Sequence, residues 1–221
     1  MHAYKEKKGL SEKLIGITLI IIAFGITAYN FWISEQARIN SEQSYTLLNE
    51  YIQNTQRNDT VSSDASLDHQ MDTLLNTVEY TDYAMNPLIE MPTMEINKQD
   101  YIGVLSIPDL NLRLPILADY VYENLHTAPC RFQGSAYEEN FVICAHNYAS
   151  HFGTLHNLSL GAAISFEDIS GNIFKYEVEE ILTLSPTEPT EFVQSGYDLT
   201  LFTCTVGGAS RVVVRCSKMD I

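Results

Sequence analysis

The chain has 221 residues, 45% of them hydrophobic, and its 13 Lys and Arg stand against 28 Asp and Glu for a net charge of −15. That length gives one or two domains, and the apolar fraction suffices for a packed core, so disorder throughout is excluded. Nucleic-acid binding is excluded too, because it draws its affinity from a basic surface that releases counterions from phosphates.

Met1–Lys13 carries Lys5, Lys7, Lys8 and Lys13 against Glu6 and Glu12, and Leu14–Ile33 then runs without a charge. About 20 apolar residues are what a helix needs to cross the hydrocarbon core of a bilayer. Tyr29, Phe31 and Trp32 close the run as an interfacial aromatic belt would, and lysines before the span put the N-terminus in the cytoplasm. A cleaved signal peptide is the alternative. Its apolar region is usually about 7–15 residues long, and Ile26-Thr27-Ala28 is a poor cleavage site. The expectation is a cytoplasmic tail at 1–13, a retained membrane helix at 14–33, and the remainder outside the cell membrane.

Ser34 to Gln99 is polar and lacks glycine. Tyr45, Leu48 and Ile52 recur at i, i+3, i+7, so Ser41–Gln53 is expected to be an amphipathic helix. Asn58–Leu67 is expected to be without structure, and Met85–Asn97, with its two prolines, to be extended. Residues 34–99 read as a partly helical stalk. The alternative is a helical piece packed on the domain that follows, at 100–221.

From Tyr101 the pattern is β. Ile102–Ile107 is a short apolar strand ended by Pro108. Leu110, Leu112, Leu114 and Ile116 alternate with a period of two. Phe141–Ala145 is a continuous apolar run, as in a strand buried on both faces. Ile164–Asp168 and Ile173–Leu184 flank a Ser-Gly-Asn turn, and Leu199–Val206 and Arg211–Ser217 flank Gly207-Gly208. Only Ser150–Leu160 reads as helical here, with Phe152, Leu155 and Leu158 on one side. Many short strands with turns between them give a mostly β sandwich or closed barrel.

The last hairpin carries chemistry. If Gly207-Gly208 is a two-residue turn, Cys204 faces Arg211, with Cβ atoms about 4.5–5.5 Å apart on one sheet face. A nearby cation favours the attacking thiolate. Arg cannot act as a base, but its donors suit an oxyanion. The bland alternative is an inert cross-strand pair. Arg215 lies on the same face and is the rival. Of the six histidines, His146 alone directly ends a buried strand, where an imidazole can be fixed for proton transfer. His2 is in the tail, His69 in the stalk, and His126, His151 and His156 in loop or short-helix sequence. The last two do not share a helical face for a metal. Cys130, Cys144 and Cys216 complete four cysteines. With Cys204 free, at most one disulfide is possible among them.

Leu199-Thr-Leu-Phe-Thr-Cys204 followed by Arg211 resembles the signature of the sortase family, TLxTC and then an Arg on the next strand. Ala145-His146-Asn147, then Phe152, Leu155, Leu158 and Gly161, resembles the family's histidine motif. Pro129–Gly134 resembles the P…G stretch before the histidine strand, and Ile102–Pro108 the opening strand. Three positions depart from the pattern: Ala162 stands for Asp, Ala145 for Gly, and Val206 for Pro. No DPW-like lid motif precedes Tyr101, and Leu184 to Leu199 is too short for a class B insertion, so the subfamily stays open.

The resemblance implies an eight-stranded β-barrel with short helices, carrying a cysteine transpeptidase with Cys204, His146 and Arg211 as catalytic residues and no cofactor. It implies a sorting-signal peptide of LPxTG type as one partner and a cell-wall or pilin amine as acceptor. Some members of the family bind calcium, but Glu138 and Glu139 read better as solvated loop acids than as part of such a site. Two alternatives remain: a cysteine hydrolase that uses water, and an inactive membrane-tethered binding barrel.

Overall fold

In the computed structural model, residues 2–62, 83, 86, 88–187 and 196–219 are described. Helix α1 runs unbroken from His2 to Ser62, and no glycine or proline interrupts the sequence from Ile26 to Ser62. Thr18, Thr27, Thr46 and Thr55 each donate a hydroxyl to the carbonyl four residues back, which satisfies the hydroxyl within the helix. Arg38 pairs with Glu35 and Glu42, one turn away on either side. From Leu14 to Trp32 the large apolar side chains are all more than half exposed, the least being Ile22 at 52%. By length and composition this segment can cross a membrane.

Past that segment the helix turns one face inward. Ala37, Ser41, Ser44, Leu48 and Ile52 are buried, at the three- and four-residue spacing of a single helical stripe. This stripe lies along the outside of a β-barrel. Ser44 Oγ and Tyr101 Oη are 3.0 Å apart, Arg113 donates to Tyr45 Oη at 3.3 Å, and Gln56 donates to Glu167 at 3.0 Å. The helix is therefore packed on the barrel over this length instead of standing clear of it. The sequence predicts no structure over Asn58–Leu67. Instead α1 continues through it as far as Ser62, and residues 63–67 lie outside the described part.

Nine strands follow: β1 (Met94–Ile96), β2 (Gln99–Ile107), β3 (Leu112–Leu117), β4 (Cys130–Gln133), β5 (Phe141–Ala145), β6 (Ala163–Asp168), β7 (Ile173–Leu184), β8 (Leu199–Cys204) and β9 (Arg211–Lys218). Their order is β1-β2-β3-β4-β5-β8-β9-β7-β6, and β2 also pairs with β6. That last pairing closes eight strands into a barrel. β1 pairs with Gln99–Tyr101 and β6 with Gly103–Ser106, so the two share one edge of β2 in succession. The sheet register shifts at Gly103, where a Cβ would sit 2.1 Å from the Glu167 carbonyl oxygen. Only glycine lets the two backbones approach this closely.

Two apolar cores result. Leu105, Ile116, Phe141, Ile143, Phe166 and Leu201 fill the barrel interior. Leu48 and Ile52 of α1 cover Tyr101, Val104, Leu117, Cys130 and Cys144 on its outer face. β5 is buried at all five positions, as its continuous apolar run requires. β3 starts at Leu112 rather than Leu110, because Pro108–Leu110 forms a 3₁₀ turn that ends with Asn111 at φ 52°. Ser150–Leu160 is not an α-helix. It is a series of turns with a 3₁₀ segment at Leu155–Asn157, yet Phe152, Leu155 and Leu158 still enter the core. A Cβ on Gly153 would lie 2.4 Å from the Asn147 carbonyl oxygen, so the chain folds back on itself too tightly for a continuous helix.

Candidate active site

β5 and β8 run parallel, with Phe141 opposite Leu199 through to Ala145 opposite Thr203. The next residue on each chain is His146 and Cys204. Thr203 fastens the two ends together by donating its hydroxyl to the Ala145 carbonyl at 2.9 Å. β8 and β9 then place Cys204 opposite Arg211. The connecting loop is longer than the two residues expected. Thr205 and Ser210 pair at 2.9 Å and enclose Val206–Ala209, with Gly207 at φ 83° and Gly208 at φ 75°. One extra residue on each side leaves the register unchanged, which is why Cys204 still faces Arg211.

Cys204, His146 and Arg211 line one cleft of about 340 Å³, walled by Tyr120, Tyr122, Leu125 and Phe132. Cys204 is half-buried. The Arg211 guanidinium donates to the Gly208 and Ser210 carbonyls, both at 3.1 Å, so the loop itself orients it. Arg215, on the same sheet face, is bound to Glu180 at 2.8 Å and lies 5.6 Å from the centre of the Tyr197 ring. Its charge is already engaged by a carboxylate.

His146 sits among aromatic rings. Tyr122 meets it edge-on at 5.6 Å, His126 at 4.7 Å and Tyr148 at 5.0 Å. His126 Nδ1 lies 3.0 Å from Tyr148 Oη. Among the described residues nothing hydrogen-bonds His146 Nε2. Burial, and secondly the charge of His126, lower the His146 pKa to about 4, so the ring is neutral near pH 7. Sequence reasoning does not single out His126, Tyr122 and Tyr148. His126 lies 20 positions from His146 and belongs to a 3₁₀ turn at Tyr122–His126, so neither spacing nor periodicity links the two rings.

All four thiols are free. Cys130 and Cys144 are direct partners across β4 and β5. Burial pushes Cys130 and Cys216 up to about 12 and raises Cys144 as well. Such thiols are poor nucleophiles. Among the described residues no group of three or more His, Cys, Asp or Glu is placed to hold a metal, and Glu138 and Glu139 join no such group. His151 is fully buried, whereas His156 is exposed.

A closed barrel that gathers a thiol, an imidazole and a guanidinium in one cleft has the groups needed for acyl transfer through a thioester. The sortase domain family matches residues 105–219. The chain belongs to the sortase family, a family of cysteine transpeptidases. Sortase A from Corynebacterium diphtheriae has a similar structure, at 20% identity and a TM-score of 0.51, covering 86% of this chain and 93% of that one. Sortase C1 from Streptococcus agalactiae is also similar, at 22% identity and a TM-score of 0.52, covering 65% of this chain and 80% of that one. Both likenesses are of fold. No match among curated proteins reaches significance.

Proposed function

We propose that the protein is a membrane-anchored extracytoplasmic transpeptidase that cuts a sorting motif of LPxTG type and transfers the protein to a cell-wall or pilin amine. Cys204 is the nucleophile, His146 the acid and base, and Arg211 the oxyanion partner. The observation that carries this reading is the shared cleft of the three side chains.

His146, neutral at rest, takes the Cys204 proton as sulfur attacks the scissile carbonyl. Arg211 holds the oxyanion. His146 then gives the proton to the leaving amine, which departs as the thioester forms. An incoming amine attacks the thioester. His146 removes its proton and returns it to the sulfur, closing the cycle. No cofactor takes part. Residues 14–33 are the anchor, with 1–13 in the cytoplasm and 100–221 as the catalytic domain.

The test uses the full chain in mild detergent with a quenched LPxTG-type peptide, with and without an added amine. Wild type should form a covalent acyl adduct visible by mass spectrometry, and the amine should shift product from acid to amide. Cys204→Ala should abolish the adduct. Cys130→Ala, Cys144→Ala and Cys216→Ala should each keep it, and an alkylating reagent should label Cys204 first. Arg211→Ala should slow acylation about 100-fold or more, the usual scale for loss of an oxyanion donor. Equal loss from Arg215→Ala with a native fold would reassign the oxyanion role.

A further inference from the structure

The mouth of the cleft is rimmed by apolar side chains that nothing among the described residues covers. Tyr120, Val121 and Tyr122 are 44%, 45% and 59% exposed, and Val206, in the loop after Cys204, is 96% exposed. The direction of α1 says what lies beside them. Following the helix away from its apolar segment, the first buried residue is Ala37, whose backbone is in polar contact with His151. The His151 ring lies 5.5 Å from that of Tyr148, and the Tyr148 ring 5.0 Å from that of His146, both pairs tilted. Ser44 then meets Tyr101, and Gln56 last meets Glu167 and Gly171, at the opposite end of the barrel.

The end of the barrel nearest the apolar segment is therefore the end with the cleft. Ile33 and Ala37 are four residues apart, about 6 Å of helix. Tyr29, at the close of the apolar run, and Tyr122, on the cleft rim, both act electrostatically on Tyr148. Tyrosines that are apolar in body and polar at the tip are the side chains that settle at a membrane–water boundary.

We propose that Tyr120–Tyr122 and Val206 rest on the bilayer that Leu14–Ile33 crosses, so that the cleft opens at the lipid–water interface. The occupant of this apolar rim is the headgroup and upper acyl region of the outer leaflet. A peptide still tethered in that leaflet then reaches Cys204 by lateral movement, without leaving the surface. The inference rests on the membrane reading of α1, and the test separates the two.

Trp32 is the single tryptophan. The full chain is reconstituted into vesicles of phosphatidylcholine and phosphatidylglycerol, with and without brominated acyl chains that quench tryptophan on contact. Quenching of native Trp32 reports the anchor. In a Trp32→Phe background, Val121→Trp and, as a second position, Val206→Trp should lose emission in brominated vesicles. Ile173→Trp should not, because Ile173 is half exposed at the far end, two residues past Gly171. If Trp32 is quenched while emission at 121 and 206 matches that at 173, the interface proposal is wrong and the anchor stands. If Trp32 itself is not quenched, the anchor reading fails and takes the proposal with it. A Val121→Glu variant that retains full quenching at 206 and native turnover of a vesicle-embedded substrate would also count against it.

Discussion

The imidazole of His146 works in a setting made by its neighbours. Replacing His126 with Ala removes a like charge and opens the ring to water, and both changes favour the imidazolium. The acid limb of the rate profile should move to higher pH, and NMR titration of the His146 ring should follow it. An unmoved limb would mean that His126 plays no part in setting the protonation state. His151 permits a stability prediction. It is fully buried, and neither ring nitrogen has a partner of good hydrogen-bond geometry. Burial, then the charge of His146, depress it to about 4, opposed by the Ala37 backbone. Its ordinary value lies near 6.5. Above pH ~6.5 both folded and unfolded states hold the neutral ring, and the contribution to stability is complete. Between about 6.5 and 4 the unfolded state takes up the proton first, so stability falls as pH falls, by roughly 3 kcal/mol at most. Urea midpoints measured from pH 7 down to 4.5 should show this decline, and His151→Leu should flatten it.

At the level of elements, α1 holds more than a spacer would. Leu48 is fully buried between the helix and the barrel, so Leu48→Ala should cost about 2–4 kcal/mol by urea unfolding. A helix standing clear of the barrel would show almost no change. The sequence exposes the helix through Tyr45, Leu48 and Ile52 but hides its partner surface. Val104 and Leu117 look outward from strands whose alternate residues look inward, and a run apolar on both faces does not say what covers its outside. Strands β2, β5, β6, β7, β8 and β9 are readable because apolar runs and Gly turns bound them. β1 and β4 are three and four residues long, and β4 includes Arg131 and Gln133, so no period can emerge. The Cys204–Arg211 pairing is legible because hairpin register depends only on the sum of opposed positions. A loop of Val206–Ala209 in place of a two-residue turn leaves that sum unchanged. The aromatic wall around His146 is not legible, since tertiary folding alone unites Tyr122, His126 and Tyr148.

Across the whole molecule, closure depends on a single crossing point. β2 is bonded to β1, β3 and β6, and Gly103 stands where β6 begins its pairing. Gly103→Ala would force a methyl group onto the Glu167 carbonyl. The expected loss is about 3 kcal/mol, the upper end of the usual cost of overpacking, read as a collapse of near-UV circular dichroism at urea concentrations the parent withstands. A variant as stable as wild type would show that the barrel can reseal around the intrusion. The unbroken helix has a different consequence. At about 1.5 Å per residue, its 61 residues form a rod of roughly 90 Å, with no glycine or proline joint between the apolar run and the barrel. A rod without a swivel passes its tilt and azimuth to whatever is mounted on it. The barrel cannot scan its surroundings by bending at the neck. With the apolar run as the anchor proposed above, it would travel with its base, and its search for partners would become a two-dimensional walk with a fixed heading.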